Sequence, residues 1–117
     1  MAHLAEVVRE LAGRDGVEAV VLVSRDGLPI DHAARGDCDA DAMAALATTL
    51  LRPAARLGET ARRGSLARAV FEFAGGFGIL TVLPDQNALL VLLSPDADAG
   101  VMLYDLGRLT PALSSLL

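Results

Sequence analysis

The sequence predicts an α/β (α+β) fold, a five-stranded antiparallel sheet flanked by helices in the order α-β-β-α-β-β-β-α. Three observations carry this. Apolar residues recur at helical spacing in three stretches and form extended runs in five others. The extended runs are joined in pairs by links of hairpin length, which bring neighbouring strands together antiparallel. Two of them, 79–83 and 88–93, are apolar at nearly every position. A strand that does not alternate is covered on both sides, so helices must lie on both faces of the sheet.

The elements follow in order. Leu4, Val7, Val8, Leu11 and Ala12 keep the i, i+3, i+4, i+7 spacing of an amphipathic helix, which Gly13 and Gly16 end. Val17 to Ser24 and Leu28 to Ala34 are extended runs around Asp26-Gly27, a strong hairpin signal because glycine supplies the positive φ of the tight turn. Pro29 lacks a donor, which places the second strand at a sheet edge. A long alanine-rich helix then starts at Asp37, Asp39 or Asp41, whose charge suits the helix dipole, and runs to about Arg63, before Gly64. Pro53 falls inside it and is expected to bend it near Thr49 to Arg52. Strands at Ala67 to Phe73, Phe77 to Leu83 and Ala88 to Leu93 form a meander through Gly75-Gly76 and Pro84-Asp85-Gln86-Asn87. A last helix begins near Asp96 or Asp98, with Val101, Leu103, Tyr104, Leu106, Leu109, Leu113 and Leu116 as a broad apolar face.

The chain has 117 residues, the length of one domain spanning 1–117, and 53% of them are hydrophobic, enough for a core without disulfides or metal. The net charge of -5 argues against a nucleic-acid partner, and aromatics at 3% leave no base-stacking platform. The start of the chain, interrupted by Glu6 and Glu10, does not read as a signal peptide. No apolar run approaches the ~20 residues of a membrane span, so membrane insertion is not expected and a cytoplasmic location is the default.

Candidate chemistry is thin. His3 and His32 have no second histidine or cysteine at ligand spacing, and Asp31 and His32, adjacent on a strand, point to opposite faces. Cys38 sits between Asp37 and Asp39, whose charges disfavour a thiolate. Gly75-Gly76-Phe77-Gly78 joins two strands rather than strand and helix, and the ten basic residues are all arginine, so no phosphate loop with its lysine is present. Asp37, Asp39 and Asp41 lack the glycine and closing glutamate of a calcium loop. No catalytic, cofactor-binding or metal-ligating residue is assigned. The residues describe an interaction module rather than an enzyme.

The long helix says more. At 100° per residue, Met43, Leu46, Ala47, Leu50, Ala54, Leu57 and Ala61 share a face that is expected to lie on the sheet. A second stripe of mostly small residues runs beside it: Ala40, Ala44, Thr48, Leu51, Ala55 and Gly58. It reads either as exposed alanine, tolerated because alanine is the best helix former, or as a seam for another helix, with a twofold dimer the simplest partner. On the strand that follows, Arg68, Val70 and Glu72 share a face. Pairing two copies about Val70 would set Arg68 opposite the partner's Glu72, a mildly favourable arrangement; the other reading is an edge strand blunted by charge. Arg52, Arg56, Arg62 and Arg63 cluster late in the helix, where they either complement its dipole or offer a docking patch for an acidic protein surface.

Three strings together resemble a known family. Ala19-Val20-Val21-Leu22-Val23-Ser24-Arg25-Asp26-Gly27-Leu28-Pro29-Ile30 is similar to the opening hairpin of the Roadblock family, the dynein light-chain-related domain. Glu72-Phe73-Ala74-Gly75-Gly76-Phe77 resembles its middle turn, and Asp98-Ala99-Gly100-Val101-Met102-Leu103-Tyr104-Asp105-Leu106 its last helix. The resemblance covers roughly residues 4–117 and is nearest to short bacterial and archaeal members. It implies a Roadblock/profilin-like fold and a non-catalytic dimer, paired through the long helix and the middle strand into one continuous sheet. It also implies a regulator of a Ras-like small GTPase. The alternatives are a structural scaffold subunit, equally dimeric, and a sensor holding a small ligand between helix and sheet, for which the sequence shows no convergent polar residues.

Overall fold

The computed structural model describes residues 3–117; Met1, Ala2 and the side chain of His3 lie outside the described residues. The elements are α1 (His3–Ala12), β1 (Val17–Val23), β2 (Pro29–Ala34), α2 (Ala40–Thr60), β3 (Arg68–Phe73), β4 (Gly76–Val82), β5 (Ala88–Leu93) and α3 (Ala99–Leu116), with a 3-10 turn at Pro84–Gln86. The five strands form one antiparallel sheet in the order β2-β1-β5-β4-β3. The expected element order, the meander and the edge position of Pro29 are all present. The two edges are β2 and β3.

Local chemistry accounts for the turns. In the first hairpin Ser24 N–H donates to Leu28 O at 2.8 Å, and Gly27 takes φ 80°, closing a three-residue loop. The register then slips between Leu22 and Val23, so Ile30 is an extra residue in β2. Gly76 opens β4 with φ 145°, and a Cβ there would collide with the carbonyl oxygen of Leu93 on the β5 strand end; only glycine fits. Asp39 and Asp98 cap α2 and α3, each accepting from a backbone N–H three residues on, at 3.0 Å. Helix α2 runs unbroken through Pro53 and ends at Thr60, short of Arg63. Its end is a Schellman arrangement with Arg62 at φ 58°: Arg63 N–H donates to Gly58 O at 2.8 Å, and Arg62 N–H to Glu59 O at 3.1 Å.

The sheet is covered on both faces, by different means. On one, α1 and α3 bury Val8, Leu11, Met102, Leu106 and Leu113 against Val20, Leu22, Ile79, Leu89 and Val91. Arg14, in the turn just after α1, bonds Asp105 of α3 at 2.8 Å and ties the end of α1 to α3. Val101 and Tyr104, expected on the apolar face of α3, instead point outward, with the guanidinium of Arg108 5.8 Å from the Tyr104 ring centre.

On the other face, α2 lies alone and reverses an expectation. Its buried residues are Ala40, Ala44 and Ala47, packed against Val21, Val23, Leu80, Ala88 and Leu90. The leucines expected on the sheet point out: Leu46 is 63% exposed, Leu50 46% and Leu57 70%. The physical reason is volume. The strands already fill this layer with branched side chains, and at interior density a second row of leucines would overpack it. Alanine lets the helix backbone approach closely, and the larger residues are turned away.

Thr81, in β4 beneath α3, is fully buried, and its Oγ1 has no hydrogen-bond partner among the described residues. Such an orphan costs stability, whereas valine keeps the shape without the hydroxyl. Thr81→Val is therefore expected to stabilise the fold by about 1 kcal/mol, read as a rise of a few degrees in Tm by calorimetry. An unchanged or lowered Tm contradicts this.

Candidate protein interface and adjoining cleft

The exposed leucines of α2 and the free edge of β3 lie on the same side of the molecule. The opposite flank of α2 is fixed by the first hairpin, where Gly27 sits against Ala45 and Thr48. Leu46, Leu50 and Leu57 project about a third to half a turn away from that flank, towards β5, β4 and β3, by the 3.6-residue helical repeat. On the same sheet face, Ala69 and Phe71 pack partly into the core beneath α2. Phe73 extends the row, 59% exposed, its ring stacked on Phe71 with centroids 6.1 Å apart. Strand β3 pairs with β4 from Arg68↔Thr81 to Phe73↔Gly76, and among the described residues its other side pairs with no strand. Val70, at its centre, is 48% exposed. Three large leucines, Phe73 and a bare strand edge on one side form the kind of apolar surface that marks a protein interface.

The expected seam residues fall elsewhere. Ala40 and Ala44 are buried in the chain's own core. Thr48 is half-buried, donating its hydroxyl to Ala44 O at 3.0 Å. Leu51 packs against the same core cluster, and Ala55 and Gly58 are half-buried, Gly58 close beneath the carbonyl of Gly64. The sheet-facing side of α2 draws on both expected stripes, Ala40, Ala44 and Leu51 from the second and Met43 and Ala47 from the first. Of the strand residues, Val70 and Glu72 are exposed, while the half-buried Arg68 lays its guanidinium beside Gly107 of α3.

The four arginines divide. Arg52 and Arg56 stand on the last turns of α2, and Arg62 and Arg63 on the connection after it. All are exposed, and among the described residues none has an ion-pair partner. Arg52 and Arg56 border a cleft of about 530 Å³ under the second half of α2, where the helix passes the end of the sheet. Leu51, Leu66 and Val82 give it an apolar floor, and Arg25, from the turn between β1 and β2, completes the rim. Arg25 is held there because its backbone N–H donates to Asn87 Oδ1 at 3.2 Å, which joins the two hairpin tips. The spacing of Arg52 and Arg56 is visible in the sequence. Their meeting with Arg25 is not, because nothing in the pattern says where α2 crosses the hairpin.

Elsewhere the candidate chemistry stays apart. A second cavity of about 620 Å³ at the start of α2 is bordered by Arg35, Cys38, Asp39 and Met43. Burial, and then the Asp39 charge, push the Cys38 thiol up, away from the reactive thiolate. Asp31 is engaged by Arg9 of α1 at 3.4 Å and by the backbone N–H of His32 at 2.8 Å. Among the described residues, no three or more of His, Cys, Asp and Glu come together as a metal site, and no helix is long and apolar enough to cross a membrane.

Comparison with solved structures places this fold among known ones. It superposes on a Roadblock/LC7 domain from Streptomyces avermitilis with a TM-score of 0.85 at 25% identity, covering 96% of this chain and 95% of that one. The MglB protein of Myxococcus xanthus gives a TM-score of 0.89 at 16% identity over 99% and 95% of the two chains. MglC of the same organism gives 0.67 at 20% identity over 94% and 95%. A search of curated proteins gives no match. The family model for the Roadblock/LC7 domain matches residues 4–94, most of the chain. With its element order, its sheet and its long central helix all in agreement, the chain belongs to the Roadblock/LC7 domain family.

Proposed function

We propose that this chain is a homodimeric, non-catalytic regulator of a Ras-like small GTPase, working in the cytoplasm by protein contact. One observation carries the pairing: a leucine ridge and an unpaired strand edge exposed on the same side of a Roadblock/LC7 domain. Antiparallel pairing of two β3 edges about Val70 makes one continuous sheet across both copies. The two α2 ridges then lie side by side above it and cover Leu46, Leu50, Leu57 and Phe73. Arg68 would stand opposite the partner's Glu72, but its guanidinium leans on α3, and exposed pairs contribute only ~0–1 kcal/mol. The leucines and Phe73 supply the energy of association. An MglB solved in a tetrameric arrangement, with a TM-score of 0.86, gives precedent for self-association on this fold.

The GTPase follows from the family resemblance. The unpaired Arg52, Arg56, Arg62 and Arg63, at one end of an otherwise acidic chain, supply a surface for an acidic partner. A regulator of this kind acts by binding one nucleotide state of the GTPase better than the other.

Two adjacent leucines separate the interface from the core. Leu50→Arg is expected to yield folded monomers by light scattering, with the circular dichroism of the wild type. Leu51→Arg, which puts a charge into the layer beneath α2, is expected to lower stability by about 3 kcal/mol, in the range for an uncompensated buried charge. A Leu50→Arg chain still dimeric would exclude the ridge. For the GTPase, a Ras-like small GTPase of the same organism is expected to co-purify with the chain and to hydrolyse or exchange nucleotide at a changed rate. Failure to bind in both the GDP and GTP states would exclude that role and leave a dimeric scaffold.

A further inference from the structure

We propose that the cleft beneath the second half of α2 is a binding site for a small organic anion, a phosphate monoester on a compact apolar body. The cleft is built from three separate parts of the chain. Arg52 and Arg56 come from α2, Arg25 from the first hairpin turn, and the floor of Leu51, Leu66 and Val82 from α2, the connection before β3 and the end of β4. Its volume of about 530 Å³ lies within the range of small-molecule sites, and a floor of half-buried apolar residues with polar groups at the rim is their usual construction.

Charge selects the ligand. The chain carries a net -5, yet three arginines, Arg25, Arg52 and Arg56, border this cleft with one acidic residue, Glu59. Among the described residues none of the three arginines has an ion-pair partner, so their donors are available. The surplus of two positive charges matches the roughly -1.5 to -2 of a phosphate monoester at neutral pH. A single carboxylate would leave a guanidinium uncompensated. Guanidinium forks bind phosphate oxygens in pairs, and the apolar floor accounts for the body of the ligand.

The site shares Arg52 and Arg56 with the surface proposed for an acidic partner, adds Arg25 and the apolar floor to it, and is compatible with the dimer. Arg52 and Arg56 project between roughly a quarter and nearly half a turn from the leucine ridge, by the 3.6-residue repeat, on the side away from the pairing proposed for it. It is also a site of the kind for which the sequence offered no convergent polar residues, because its third arginine comes from a distant turn.

Phenyl phosphate is the probe. Titrated into the intact protein at fixed ionic strength and followed by amide chemical shifts, it is expected to bind saturably and to shift residues around Arg25, Leu66 and Val82. Inorganic phosphate should compete, and phenol should not bind. Arg25→Gln and Arg56→Gln, both surface changes, should each weaken binding about tenfold or more, since a hydrogen bond to a charged group contributes ~1.5–3 kcal/mol. Absence of saturable binding, or equal binding by the double variant, overturns the proposal. So does loss of GTPase binding in the double variant when the wild type takes up no phenyl phosphate, which would assign the cleft to an acidic protein segment.

Discussion

The close seating of an alanine face on the sheet is the constraint from which the rest of this molecule follows. Ala40, Ala44 and Ala47 are small enough for α2 to settle onto a layer already filled by Val21, Val23, Leu80 and Leu90. Once the helix sits at that depth, its periodicity leaves Leu46, Leu50 and Leu57 no place in the core. They emerge on the flank that faces β3, beside the one sheet edge made of large apolar residues. A single choice of side-chain volume thus creates both the core of one face and the dry surface beside it.

The two edges of the sheet are treated differently. Edge β2 carries Pro29 and an extra residue at Ile30, and Arg9 of α1 reaches Asp31. Proline, a bulge and a charge are the usual ways of discouraging further strand pairing. Edge β3 has a regular register from Arg68 to Phe73, with no proline and no bulge. The asymmetry places any added strand at β3.

Much of the fold was legible in the sequence because its signals are local. Asp26-Gly27 and Gly75-Gly76 set the hairpins, Asp39 and Asp98 start helices, and the unbroken apolar runs of β4 and β5 require cover on both faces. The candidate interface was only half legible. Periodicity found both stripes on α2, but which one meets the sheet depends on the volume the strands leave, a property of the assembled layer. Ala47 and Met43 of the expected stripe do pack on the sheet, but its large Leu46, Leu50 and Leu57 turn outward, and Ala40 and Ala44 of the second stripe take their place. The outward turn of Val101 and Tyr104 on α3 follows from the helical repeat, which sets them about a quarter to half a turn from the buried Met102, Leu106 and Leu113. The cleft was not legible at all, since Arg25 and Arg56 are brought together only by the crossing of α2 over the hairpin tip.

The pairing of β3 is most directly tested by amide hydrogen exchange, with β2 in the same molecule as the control. At concentrations where the protein associates, the outward-facing amides within Arg68–Phe73 should exchange far more slowly than those within residues 30–34, and the difference should vanish on dilution to monomers. Exchange as fast in β3 as in β2, at every concentration, would contradict a dimer built on the leucine ridge and this strand edge.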